Sequence, residues 1–181
     1  MKIQQSKLLQ ELRNETAKAK LQLEEFKTYS TKKLNYKPSS YEWSILECIE
    51  HLNLYSKFYL PEIEKSLTNA KTENNLLFKS SFLGNYFVNM IKASNIKKIK
   101  TTKQMDVTGS NLNISTIHKF ITQLEWLDSL LIKAENVDLI KVKTPISLTK
   151  LIKLRLGDTL RVLIYHNERH IIQAKKIKAK L

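Results

Sequence analysis

Cysteine occurs once in the 181 residues, at position 48. A single thiol excludes a disulfide framework and any Cys-based zinc finger. Glycine and proline occur three times each, too rarely for a collagen-like chain, a flexible linker or a turn-rich all-β domain. No apolar run approaches the roughly 18–20 residues of a spanning helix. The stretch from Met1 to Lys20 is dotted with Lys and Glu and has no apolar centre of the signal-peptide kind. No G-x-x-x-x-G-K and no G-x-S-x-G string occurs, so the chain offers neither a glycine phosphate cradle nor a nucleophile elbow. Acids are outnumbered as well, 17 against 31 Lys and Arg, while a hydrophobic fraction of 42% argues against disorder. What remains is an all-α protein without a membrane segment, expected to be cytoplasmic and to fold as a single domain over residues 1–181.

Four long amphipathic segments support that expectation. From about residue 3 to 29, Leu8, Leu9, Leu12, Ala19, Leu23 and Phe26 recur at three- and four-residue spacings. A break at Pro38 precedes a second helix that runs to about Leu67. Ser44 followed by Glu47 matches a capping box, with Ser40 an equal candidate cap. Pro61 is expected to kink this helix or end its first part. Residues 70–110 read less clearly: Leu76–Ile91 suggests a short helix interrupted at Gly84, and Lys97–Ser110 an extended stretch ending in a turn at Thr108-Gly109-Ser110. Ile114, Ile117, Ile121, Leu124, Leu127 and Leu131 stripe a third helix over about 111–134. Residues 137–156, with Pro145, read as a loop with extended pieces. Gly157 with Asp158 or Thr159 introduces a fourth helix to about Lys178. Four such segments predict a four-helix bundle.

The formal net charge of +14 is concentrated. Lys92–Lys103, Lys141–Arg155 and Arg169–Lys180 contain no acid and together carry +15, the rest of the chain −1. Such stretches either form a solvated surface or meet an anionic partner: nucleic acid, an anionic membrane surface or an acidic small molecule. Aromatic residues do not interleave with the lysines, which disfavours nucleic acid.

Three of the four histidines are organised. His166 and His170 lie four residues apart, on one face of the last helix, where two imidazoles can share a metal ion. They occupy a shoulder of the stripe made by Leu160, Leu163, Ile164, Ile171 and Ala174, with Asn167 in its middle. His51 occupies the corresponding shoulder of the second helix, whereas His118 lies off its stripe and is expected at the surface. Competing metal motifs fail. In His166-Asn167-Glu168-Arg169-His170 the acid is misplaced for H-E-x-x-H, and there is no E-x-x-H pair of the di-iron kind. Cys48 sits on an apolar stripe and reads as a small buried residue. Trp43 and Trp126 read as packing residues.

The string Trp43-Ser44-Ile45-Leu46-Glu47-Cys48-Ile49-Glu50-His51-Leu52 resembles the W-S-x-x-E-x-x-x-H-L segment of the DinB-like superfamily. Leu156-Gly157-Asp158-Thr159-Leu160, followed by His166, His170 and Gln173, resembles that family's last helix with its H-x-x-x-H-x-x-Q core. The resemblance extends over nearly the whole chain in element order and implies a bundle with up-down-down-up connections. It implies His51, His166 and His170 as ligands of a divalent metal (Zn, Ni or Fe). It also implies a metal-dependent thiol transferase or hydrolase, since the family includes bacillithiol transferases and mycothiol-dependent isomerases. A low-molecular-weight thiol is the implied cofactor, an anionic small molecule the substrate and a homodimer the assembly. The metal would activate a thiol or water for attack on an electrophile. Glu47, one turn before His51, is a candidate to orient its ring and otherwise caps the helix. Asn167 and Gln173 are candidates to line the cavity. The competing reading is a non-catalytic basic bundle that binds an anionic partner such as nucleic acid.

Overall fold

The computed structural model describes residues 1–73, 76–94, 101–147 and 149–181. Four long helices dominate: α1 (Gln5–Phe26), α3 (Ile45–Thr68), α5 (Ser115–Lys133) and α6 (Leu156–Lys178). Shorter elements join them: β1 (Lys2–Gln4), α2 (Thr31–Leu34), β2 (Leu77–Lys79), α4 (Phe82–Ile91), β3 (Lys143–Ile146) and β4 (Thr149–Arg155). Both α1 and α3 pack against α5 and α6. Their stripes meet in one core, in which Leu12, Leu23, Leu52, Phe120, Leu130 and Leu160 are buried. No described helix is long and apolar enough to cross a membrane.

The capping box at the start of α3 forms as its spacing requires. The Ser44 hydroxyl accepts from the Glu47 N–H at 3.1 Å and the Glu47 carboxylate accepts from the Ser44 N–H at 2.8 Å. Pro61 does not end the helix, which continues to Thr68. Proline removes one N–H, freeing the Lys57 carbonyl one turn back. Both residues are exposed, so water can satisfy that carbonyl.

Gly84 does not interrupt α4 either; it lies within the helix and lets α4 approach α6. A Cβ there would fall 2.1 Å from Asp158 Cγ. The Asp158 carboxylate accepts from the Ser81 N–H and hydroxyl at 2.9 and 2.8 Å and from the buried Arg161 guanidinium at 3.3 Å. Asp158 and Thr159 therefore do not cap α6. The helix begins directly after β4, at Leu156, and Asp158 spends its oxygens on the start of α4.

The expected loop over 137–156 contains an antiparallel hairpin, β3 with β4, in which Lys143 faces Arg155 and Thr144 faces Leu154. Its register shifts between Pro145 and Ile146, where proline cannot donate to the ladder. A second antiparallel pair joins β1 to β2. Of the expected extended stretch over 97–110, residues 97–100 lie outside the described residues. Lys103–Met105 forms a short 3-10 turn and Gly109 adopts φ +78°, a conformation that favours glycine.

Candidate metal centre

The cap on α3 fixes the helix that carries His51, two turns in. The direct β4–α6 junction fixes the helix that carries His166 and His170. The α3–α6 contact brings the three rings together, with one ligand-capable nitrogen from each within 4.8 Å of the others. His51 Nε2 lies 3.3 Å from His166 Nε2. The ring centroids of His51 and His166 lie 4.6 and 4.7 Å from that of His170.

Hydrogen bonds set the proton positions. His51 Nδ1 stands 2.8 Å from the Met105 carbonyl. A carbonyl only accepts, so Nδ1 carries the proton and Nε2 keeps its lone pair. His170 Nδ1 faces Gln173 Oε1 at 3.0 Å in the same manner. His166 Nδ1 is buried without a partner among the described residues. Burial pushes all three histidines below the ordinary imidazole value, His170 to about 3, and the mutual proximity of the rings adds to this at His166 and His170. The result is a trio of neutral nitrogen donors, the charge state and donor type that suit Zn, Ni or Fe. The residues present therefore fit a divalent ion.

Aromatic side chains wall the centre. Trp43 stacks near His170, 5.7 Å between centroids at 30°, and its Nε1–H donates to the Thr108 hydroxyl at 3.0 Å. Tyr55, one turn after His51, lies 4.3 Å from the His166 ring. The histidines open onto a cavity of about 700 Å³ also lined by α4, the hairpin and α6 from Val162 onward.

A sequence model of the DinB superfamily matches residues 15–174. The chain belongs to the DinB superfamily. No curated protein and no solved structure matches it.

Within this DinB-superfamily chain the remaining expected residues divide. Gln173 lines the cavity and bonds His170. Glu47 makes no hydrogen bond to His51: its oxygens accept from the Ser44 N–H, from Lys37 Nζ at 3.0 Å and from the Gly109 N–H at 2.7 Å. It acts as a cap and tethers the loop that follows Met105. Asn167 is buried, is not among the described lining residues, and both its amide atoms lack a described partner. It therefore belongs to the helix interface. Cys48 is fully buried and burial pushes its thiol pKa far up, so it is no nucleophile. His118 is exposed.

Two site residues were missed by sequence reasoning. Tyr55 could have been found from its four-residue spacing to His51, which puts both on one face. Met105 contributes a backbone carbonyl, which has no signature in the side-chain pattern. Trp43, read as packing, is also cavity wall. Of the basic stretches, Arg169, Lys176 and Lys180 reach the cavity, while Lys97, Lys98 and Lys100 lie outside the described residues.

Proposed function

We propose that this chain is a metal-dependent enzyme that activates a thiol or water for attack on a small electrophilic substrate, as a thiol S-transferase or a hydrolase. The observation that carries this reading is the convergence of three neutral imidazoles, two with tautomers set by carbonyl oxygens, at one wall of an open cavity. In this reading His51, His166 and His170 hold one divalent ion, Zn, Ni or Fe. Such an ion, when bound, brings a water pKa to about 7 or stabilises a thiolate.

The chain's own residues do the rest. The Met105 carbonyl and Gln173 hold two rings in their ligating orientation. Trp43 and Tyr55 restrict ring rotation and water access. Arg169, Lys176 and Lys180 attract an anionic molecule, such as a low-molecular-weight thiol bearing carboxylates. The same reading assigns α1, α3, α5 and α6 to one four-helix bundle of up-down-down-up topology, a single domain over 1–181. It further assigns a cytoplasmic location and a homodimeric assembly.

The test is elemental analysis of tag-free protein and of the His51→Ala, His166→Ala and His170→Ala variants. About one divalent ion per chain, lost in each variant, is expected for a single three-ligand site. Protein that is metal-free and also fails to take up added Zn or Ni overturns the reading.

A further inference from the structure

The cavity wall contributed by α6 is graded along the helix. Val162 and Leu163 line it first, then His166 and His170, then Lys176 and, just past the end of the helix, Lys180. Three- and four-residue spacings keep Val162, Leu163, His166 and His170 on one side of the helix, and Lys176, six residues on and about 120° round from His170, still reaches the same cavity. At about 1.5 Å per residue, Leu163 lies about 10 Å from His170 on one side and Lys176 about 9 Å on the other. Met90, Ile91 and Leu154, from α4 and β4, also line the cavity and add to its apolar surface. At the other end Glu42 is the one acid among the described lining residues, and Lys180 pairs with it at 3.0 Å. Lys176 is exposed and has no ion pair among the described residues. A ligand cation would therefore meet no free carboxylate on this wall, whereas a ligand anion meets an uncommitted ammonium.

We propose that the cavity takes an amphipathic anion laid along α6, its apolar arm over Val162 and Leu163, its anionic group at Lys176 and its reacting atom at the histidines. The placement of the reacting atom rests on the function proposed above; the binding does not. An alkyl or aryl arm of about 10 Å fills the apolar lobe. The two ends fix which atom of the ligand faces His51, His166 and His170, and so which bond is attacked.

The test is isothermal titration of the full chain, EDTA-treated and separately Zn-loaded, with decane- and dodecanesulfonate, long enough to run from Lys176 past the histidines, and with decyl- and dodecyltrimethylammonium. Sulfonates are chosen because they ligate metals poorly. Sulfonate affinity should rise about threefold to fourfold per added CH₂. The ammonium series should bind at least tenfold more weakly. Lys176→Glu, an exposed site, should weaken dodecanesulfonate at least fivefold, and Met90→Gln should flatten the chain-length dependence. Equal binding of the two charge types, no dependence on chain length, or no effect of Lys176→Glu overturns the proposal. Zn uptake without sulfonate binding overturns this proposal alone. Sulfonate binding without Zn uptake supports it and overturns only the metal-dependent function.

Discussion

Substituting Gly84 by alanine sets two effects of opposite sign against each other. Position 84 lies inside α4, and alanine in place of glycine in a helix interior gains about 1 kcal/mol from propensity. The new methyl, however, would stand 2.1 Å from Asp158 Cγ and 2.2 Å from Oδ2. Asp158 cannot swing aside freely. It is fully buried, and it holds the Ser80 and Ser81 hydroxyls and the Ser81 N–H. It also holds Arg161, whose side chain is only 2% exposed. Overpacking of a filled site costs about 1–3 kcal/mol, and separating a buried charged pair costs about 3–5 kcal/mol. The penalty exceeds the propensity gain, and Gly84→Ala should destabilise the chain by about 3–7 kcal/mol net. For a chain of this size that is a fall in Tm of about 8–18 °C. Urea and thermal unfolding followed by circular dichroism measure both quantities. A variant as stable as the parent, or more stable, would refute the argument, because it would mean that α4 does not lie against Asp158.

Three further predictions concern the cap and the histidines. Ser44→Ala removes half of the capping box and should cost about 1 kcal/mol in urea unfolding, with an unchanged m-value. Gln173→Leu leaves the His170 Nδ1–H without its acceptor and should weaken Zn binding by about 10- to 100-fold in a chelator competition, while the helical circular dichroism signal stays constant. The third concerns acid stability of the metal-free chain. All three imidazoles titrate lower in the folded chain than the ordinary 6.5. Between the two values the unfolded chain binds protons that the folded chain does not, so stability is complete above pH 6.5 and falls as pH drops below it. For His170 the window runs from 6.5 down to about 3, with a slope of about 1.4 kcal/mol per pH unit. Unfolding of EDTA-treated protein at pH 7.5, 6.0 and 5.0 should show this slope, and His170→Asn should lose one proton's share of it. Equal slopes in the two proteins would show that His170 is not buried neutral.

The long helices were legible because each buries a single stripe. In α1, Leu8, Leu12, Leu23 and Phe26 point inward and charged residues point outward, so the period is plain. The segments that were hard to read lack that contrast. In α4, Val88 and Ile91 are buried, Phe87 and Met90 face the cavity and Phe82 and Tyr86 are exposed. A helix apolar on most sides has no readable stripe. The hairpin fails in the same way, since Leu154 and Ile146 turn inward while Leu151 and Ile152 are exposed. Gly84 read as a break because glycine is a poor helix former; its reason is a carboxylate 74 residues away, which no local pattern contains.

The same contrast explains which parts of the site could be read. The imidazoles were legible because four-residue spacing on one helix and a shoulder position on another are local properties. The groups that set their tautomers are of two kinds: Gln173, three residues from His170, and the Met105 carbonyl, 54 residues from His51. The first was within reach of a spacing argument and the second was not. Yet the carbonyl is held in place by readable residues. Glu47 caps α3 and also accepts from the Gly109 N–H, and Trp43 donates to Thr108. The W-S-x-x-E segment thus starts the helix that carries His51 and also anchors the loop that follows His51's acceptor. Its spacing to the histidine accordingly has two physical causes, helix initiation and ring orientation. Glu47→Gln separates them. It keeps a capping amide oxygen but weakens the hold on Lys37 and Gly109, so it should loosen Met105 and lower metal affinity more than it lowers stability. A loss of stability with unchanged Zn affinity would show that the segment only starts the helix.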